Sequence, residues 1–277
     1  MASNSTLQAL PDVRNSLRRG LPVLALGIRV SRSPDIARWA SLAGYQALWV
    51  DLEHSGISLD ATGHICSTAL DLGLVPWVRV PEEDFGAIGR VLDAGALGII
   101  APRVESVEQA KRYLLACRFA PQGQRSQIAT LVQTGFKKIP VAQMNQHLNN
   151  AMTVQILIES AAGVANADAI AALPGVDIVG VGANDLCADL GHPGNPAHPD
   201  VLAACHAVIA AALAHGKLAV VGGLADLQAL SELYAAGAAP YLFAGIDTDL
   251  FIHSLQGKAQ QTLEAYQAVS SKELSHE

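Results

Sequence analysis

Two hydrophobic patterns alternate along the chain. Short, almost continuous apolar runs rich in Val, Ile and Leu read as buried strands. Between them, longer Ala/Leu-rich stretches return an apolar residue every three or four positions and read as helices. "PVLALGIRV" (22–30), "QALWVDL" (46–52), "LVPWVRV" (74–80) and "LGIIAP" (97–102) predict four strands. Helices are predicted at 33–44, near 58–72, near 83–94 and at 106–119. In the first, Ser33 is the N-cap, Pro34 opens the helix and Gly44 stops it; Ser106 caps the last. Residues 120–152 break the rhythm and predict a long irregular segment. Four more strands follow, "TVQILIES" (153–160), "VDIVGVGAND" (176–185, running into a loop), "KLAVVGG" (217–223) and "PYLFAGID" (240–247). Helices are predicted after them near 161–172, 199–215, 224–236 and 248–268. Strands apolar along their whole length suit a parallel sheet covered on both faces. The β/α alternation predicts a (β/α)8 TIM barrel, with an open doubly wound sheet as the alternative. No break in composition divides residues 1–277, so one domain is expected, with a tail frayed from about 269.

In a barrel, chemistry gathers where the strands end. The second predicted strand ends in Asp51, Glu53 and His54; the third carries Arg79 between Val78 and Val80. The fourth ends in Arg103 and Glu105, the fifth in Glu159. The sixth ends in Asn184, Asp185 and Asp189, the seventh in Gly222 and Gly223, the eighth in Asp247. Each alone is also what a helix N-cap would supply. Neighbouring strands lie about 4.8 Å apart, so Glu159 and Asp185 can approach one cation, and two carboxylates suit a hard ion such as Mg²⁺ or Mn²⁺. Arg79, enclosed by apolar neighbours, needs an anion. That anion is either an internal carboxylate, Asp51 or Glu53, or a substrate carboxylate gripped by the guanidinium fork. An unperturbed imidazole titrates near neutrality, which makes His54 the candidate base, and Asp51 three residues earlier could hold one ring nitrogen and leave the other free.

Composition narrows the classes. With 51% hydrophobic and 16% charged residues, the chain can bury a large core. The net charge of −7 and the lack of a basic stripe argue against nucleic acid. No apolar run reaches the roughly 18 residues of a membrane span, and the N-terminus lacks the apolar core of a secretory signal. Cys66, Cys117, Cys187 and Cys205 have no metal-type spacing and read as small buried hydrophobes of a cytoplasmic protein. No nucleophile elbow, H-E-x-x-H or P-loop lysine is present.

Four motifs, in order, carry a resemblance: D-x-E-H (Asp51 to His54), V-R-V-P (Val78 to Pro81), I-E-S (Ile158 to Ser160) and G-x-x-D-L-x-x-D-x-G-H-P-G (Gly182 to Gly194). Together they resemble the HpcH/HpaI family of metal-dependent class II pyruvate aldolases, to which macrophomate synthase is related. The resemblance implies a phosphoenolpyruvate/pyruvate-type modified (β/α)8 barrel assembled as a hexamer, a trimer of dimers with helix exchange. It implies Glu159 and Asp185 as ligands of Mg²⁺, Mn²⁺ or Co²⁺. Arg79 is implied as the pyruvate- and enolate-binding cation, His54 oriented by Asp51 as the base, and the backbone of Ala183, Asn184 and Asp185 as the pyruvate carboxylate cradle. Glu53 is expected to hold a water of the metal's shell. The reaction implied joins pyruvate and an aldehyde into a 4-hydroxy-2-oxo acid, or the reverse. Oxaloacetate decarboxylation at the same site and a non-catalytic keto-acid-binding barrel are the alternatives. Two positions depart from the family pattern: Ala183 replaces a common proline, and Leu157 a common glutamine, with Gln155 one strand period earlier. Aldehyde specificity is expected from the 120–150 loop and a neighbouring subunit.

Overall fold

The computed structural model describes residue 7 and residues 9–273, with side chains placed up to residue 270. Eight strands form: β1 (Val23–Ile28), β2 (Ala47–Asp51), β3 (Val75–Arg79), β4 (Gly98–Ala101), β5 (Thr153–Ile158), β6 (Ile178–Gly182), β7 (Leu218–Gly222) and β8 (Tyr241–Ile246). They pair in the order β7-β6-β5-β4-β3-β2-β1-β8, every pair parallel. The last strand thus returns beside the first, as a barrel requires and the open doubly wound sheet does not. Across the seam to β7, the Ala239 N–H donates to Ala219 O at 2.7 Å. The fold is a (β/α)8 barrel, closed except along this seam.

Strands β2 to β5 are buried along their entire length, which is why they read as unbroken apolar runs. One set of side chains fills the barrel: Val23, Ala25, Trp49, Trp77, Leu157, Ile178, Val220 and Tyr241. The alternate set, with Ile28, Leu48, Val50, Val78, Ile99 and Ile156, packs outward under the helices. With few aromatics, each large ring needs room made for it. Gly27 lies in register with Trp49, and a Cβ there would sit 2.9 Å from the indole.

The helices are α1 (Arg14–Arg18), α2 (Asp35–Leu42), α3 (Leu59–Asp71), α4 (Phe85–Asp93), α5 (Val107–Cys117), α6 (Val141–Ala151), α7 (Ala161–Ala171), α8 (Ala183–Asp189), α9 (Pro199–Ala214), α10 (Leu227–Ala235) and α11 (Asp247–Glu273). Ser106 closes a reciprocal capping box with Gln109, and Ser58 and Ser160 cap α3 and α7. Ser33 accepts the Asp35 N–H, although the helix starts one residue later than expected. Three stretches differ more. The strand expected over 176–185 ends at Gly182, and Asn184 and Asp185 stand in the first turn of α8. The segment expected to be irregular holds a 3₁₀ turn at Val132–Thr134 and all of α6. The tail expected to fray from 269 begins inside α11; residues 274–277 lie outside the described residues.

At the N-terminal end of the barrel, charges are locked for stability. Asp177 leads into β6, accepting from Arg14 Nη1 at 3.1 Å, Arg118 Nη2 at 2.9 Å and the Val154 N–H at 2.9 Å. Two arginines, each about nine-tenths buried, lose their shared anion if this carboxylate goes. Asp177→Ala should therefore cost about 3 kcal/mol, measured as a lower urea midpoint.

Candidate active site

Parallel strands deliver all their C-terminal ends to one mouth. There Asp51, the last residue of β2, is paired in register with Arg79, the last of β3. Asp51 is inaccessible to solvent. Its Oδ1 accepts Arg79 Nε at 2.9 Å and the N–H groups of Glu53 and His54 at 3.1 and 3.2 Å. Its Oδ2 accepts Arg79 Nη2 at 2.6 Å and Arg29 Nε at 2.7 Å. Burial pushes this carboxyl up, but the hydrogen bonds and charge of Arg79 outweigh it and hold Asp51 below the usual range. Arg79 gives its remaining nitrogen, Nη1, to Glu53 Oε2 at 3.1 Å. Both guanidinium groups lie over Trp49, with Arg79 Cζ 5.1 Å and Arg29 Cζ 5.7 Å from the ring centroid. Of the two anions left open for Arg79, the internal one is present in the structure.

His54 does not meet Asp51 through its ring. Asp51 holds the His54 backbone N–H, and the ring's Nε2 lies 3.7 Å from Glu53 Oε2. The ring is exposed at the mouth. Ser55 Oγ donates to the Asp51 carbonyl, so the 51–55 turn is bound to the end of β2 at both side chain and backbone. Burial raises the Glu53 carboxyl, opposed by Arg79 and His54 and reinforced by Asp51 and Asp185.

Across the mouth the balance is different. Glu159 follows β5, 3% exposed, and its Oε2 accepts the backbone N–H of Arg103 at 3.0 Å. No side-chain cation touches it among the described residues. Burial pushes it up to about 7, and Asp185 and Glu53 add to the shift. The Glu159 carboxylate lies over Gly182, the last residue of β6; a Cβ there would stand 2.2 Å from Oε1. A bare backbone, a buried carboxylate without a counter-cation and a second carboxylate in the helix that follows the next strand fit an oxygen-bound divalent ion. Ala183, Asn184 and Asp185 open α8, where first-turn N–H groups have no intrahelical partner.

Arg29, directly after β1, is a site residue that the sequence pattern does not single out, although it ends an apolar strand as Arg79 does. Asp247, at the start of α11, likewise gains a task only here. Its carboxylate accepts the N–H groups of Arg29, Val30 and Ser31 at 2.9, 3.1 and 2.7 Å. The 120–150 segment is not at this mouth in its own chain. Gln133 Nε2 donates to Leu92 O and Ala96 O, and Arg125 Nη2 to Asp93, at the opposite face, where the segment also helps line a small cavity with Leu10 and Leu70. It therefore cannot shape its own chain's site. Among the described residues, His192, His198 and Asp200 form a separate cluster of metal-type side chains. The two imidazoles stack face to face, 3.5 Å apart and 16° from parallel, so their in-plane lone pairs do not converge on one ion. His198 Nδ1 already accepts the Asp200 N–H.

The comparisons with known proteins place the chain among carbon–carbon lyases. The sequence matches the HpcH/HpaI aldolase/citrate lyase family over residues 29–254, and the chain belongs to that family. It is 39% identical to a 4-hydroxy-4-methyl-2-oxoglutarate aldolase of Hapsidospora irregularis, over 79% of this chain and 82% of that one. It is 35% identical to a 5-keto-4-deoxy-D-glucarate aldolase of Salmonella paratyphi A, over 81% and 86%. Among solved structures, an HpcH/HpaI aldolase from Desulfitobacterium hafniense DCB-2 superposes with a TM-score of 0.83 at 29% identity, covering 91% of this chain and 96% of that one.

The Glu159 carboxyl carries a testable sign. Its folded value of about 7 lies above the usual 4.5, so in the metal-free protein its ionisation lowers stability as pH rises from about 4.5 to about 7. Glu159→Gln should stabilise the metal-free protein at pH 8 by about 1–3 kcal/mol, with the gap closing towards pH 4.5. Mn²⁺ should then raise the melting temperature of the natural chain and leave that of the variant unmoved. Thermal melts across pH, with and without the ion, measure both.

Proposed function

We propose that the chain is a metal-dependent class II aldolase that forms and cleaves 4-hydroxy-2-oxo acids, with pyruvate as one product and an aldehyde as the other. The observation that supports it most is the buried Glu159, within the field of Asp185 and without a paired cation among the described residues, at the same mouth as an arginine already fixed in place. Glu159 and Asp185 would hold Mg²⁺, Mn²⁺ or Co²⁺, which when bound supplies a Lewis acid for the negative charge of the enolate. The chain's own residues account for the rest. Arg79 cannot swing away, because Asp51 grips Nε and Nη2. Its Nη1, held in place, can exchange Glu53 for a substrate oxygen, adding positive charge without reorganisation of the arginine. The opening N–H groups of α8, at Ala183, Asn184 and Asp185, would cradle the pyruvate carboxylate. His54 is the base. In cleavage it takes the proton of the 4-hydroxyl, the C3–C4 bond breaks, the aldehyde leaves, and the electron pair stays on pyruvate as the enolate. A proton returned to C3 completes pyruvate. Glu53 Oε2 lies 3.7 Å from the ring and would also hold a water beside the ion.

Assembly belongs to the same reading. Helix α11 exposes Leu250, Phe251, Ile252, Leu255, Leu263 and Tyr266, while the outer face of its own β8 is only half covered. Apolar surface on that scale calls for a partner, and a hexamer built as a trimer of dimers that exchange this helix would bury it. Four buried, unpaired cysteines suit the cytoplasm.

Pyruvate release from a panel of 4-hydroxy-2-oxo acids, followed with lactate dehydrogenase, is the test. Activity should appear with Mn²⁺ or Mg²⁺ and vanish with EDTA. Arg79→Ala should lower kcat by about 10²–10³-fold. Full activity in EDTA-treated protein would contradict the reading.

A further inference from the structure

Arg29 is fixed in space but only partly used. Asp247 holds the backbone from Arg29 to Ser31 with both carboxylate oxygens, and Asp247 itself is 6% exposed. The side chain lies over Trp49 beside Arg79, and only its Nε is engaged, on Asp51. Its two terminal nitrogens have no hydrogen bond among the described residues, and about a third of the side chain is open to the mouth. Asp51 thus carries one negative charge against two guanidiniums. Arg79 is further offset by Glu53; Arg29 is not. The result is a rigid, half-desolvated guanidinium edge with positive charge to spare, the geometry that takes a carboxylate in two parallel hydrogen bonds.

Its place in the barrel says which carboxylate. In the order of strands, β1 stands across the mouth from β5. A substrate anchored by its C1–C2 end at Glu159, Asp185 and the start of α8 extends its far end towards β1 and β2. We propose that Arg29 recognises the distal carboxylate of a dicarboxylic 4-hydroxy-2-oxo acid, so that the carbonyl compound joined to pyruvate is itself an anionic oxo acid. This rests on the aldolase reading above and narrows its substrate class. Both aldolases to which the chain is similar have names that denote dicarboxylic acids. Arg32, exposed a few residues beyond Arg29, also has no ion pair among the described residues, but its terminal nitrogens are already given to the carbonyls of Val30 and Gly56.

The test compares two near-isosteres, 4-hydroxy-2-oxoglutarate and 4-hydroxy-2-oxopentanoate, which differ in a distal carboxylate against a methyl group. The natural chain should show the higher kcat/KM on the diacid. Arg29→Met should lower the diacid-to-monoacid ratio by about 10- to 100-fold, through KM of the diacid. Arg29→Lys, which keeps the charge without the fork, should recover part of the ratio, and it carries the comparison if the methionine variant does not fold. Arg32→Met should leave the ratio as it is. A natural chain without diacid preference, an equal loss on both substrates in Arg29→Met, or a ratio that moves with Arg32 instead would overturn the assignment while leaving the aldolase reading intact. Pyruvate release from no hydroxy-oxo acid at all would overturn both.

Discussion

Asp51 lies out of reach of solvent at the end of β2 and takes five hydrogen bonds on two oxygens. A carboxylate buried this deeply persists only if its lone pairs are filled. Filling them with Arg79, Arg29 and the backbone of residues 53 and 54 sets most of the mouth. The arginines cannot leave without stranding the anion, and the 51–55 turn cannot open without uncapping it. Trp49, admitted to the barrel interior by the absence of a side chain at Gly27, gives both guanidiniums a floor.

The opposite side of the mouth is left with the reverse problem. Positive charge is gathered at β1 to β3, so Glu159 after β5 and Asp185 in the first turn of α8 feel each other's charge with no cation paired to either among the described residues. The field felt by Glu159 is dominated by burial and by carboxylates, and its raised proton affinity follows. A proton or a divalent ion relieves that strain equally well as electrostatics; the two carboxylates and the bare Gly182 backbone favour the ion. The division is chemically useful. On the proposed reading, a keto acid bound between the halves would meet an electron-withdrawing ion held by Glu159 and Asp185 and a fixed, half-neutralised guanidinium beside it.

Much of this is legible in the amino-acid sequence. Strands such as "QALWVDL" and "TVQILIES" are buried on both faces, so their polar ends stand out against an apolar run. Asp51, Arg79, Glu159 and Asp185 are found by that contrast. Arg29 obeys the same rule, but Val30 follows it and makes it pass for an interior position of "PVLALGIRV". Pairings across strands are harder, because they depend on register. Asp51 and His54 are three residues apart, which suggests a ring contact, yet the oxygens of Asp51 are taken by Arg79, its register partner on β3, and the imidazole turns to Glu53 instead. Helix α6 escapes the periodicity because its apolar positions, Val141, Met144 and Leu148, are sparse among Asn and Gln. The side of the barrel on which the 120–140 segment lies is a matter of long-range contacts, Gln133 with Leu92 and Ala96 above all, that local pattern does not encode.

On the proposed reading, what unites the mouth is the making of an enolate from pyruvate, upstream of any choice of aldehyde or oxo acid. Loss of pyruvate's methyl protons in D₂O, followed by proton NMR, observes that step alone. The account predicts exchange by the natural chain that requires Mg²⁺ or Mn²⁺ and is abolished in Glu159→Gln and Asp185→Asn. Exchange that persists in EDTA or in those variants, or no exchange with the ion at saturation, would contradict it.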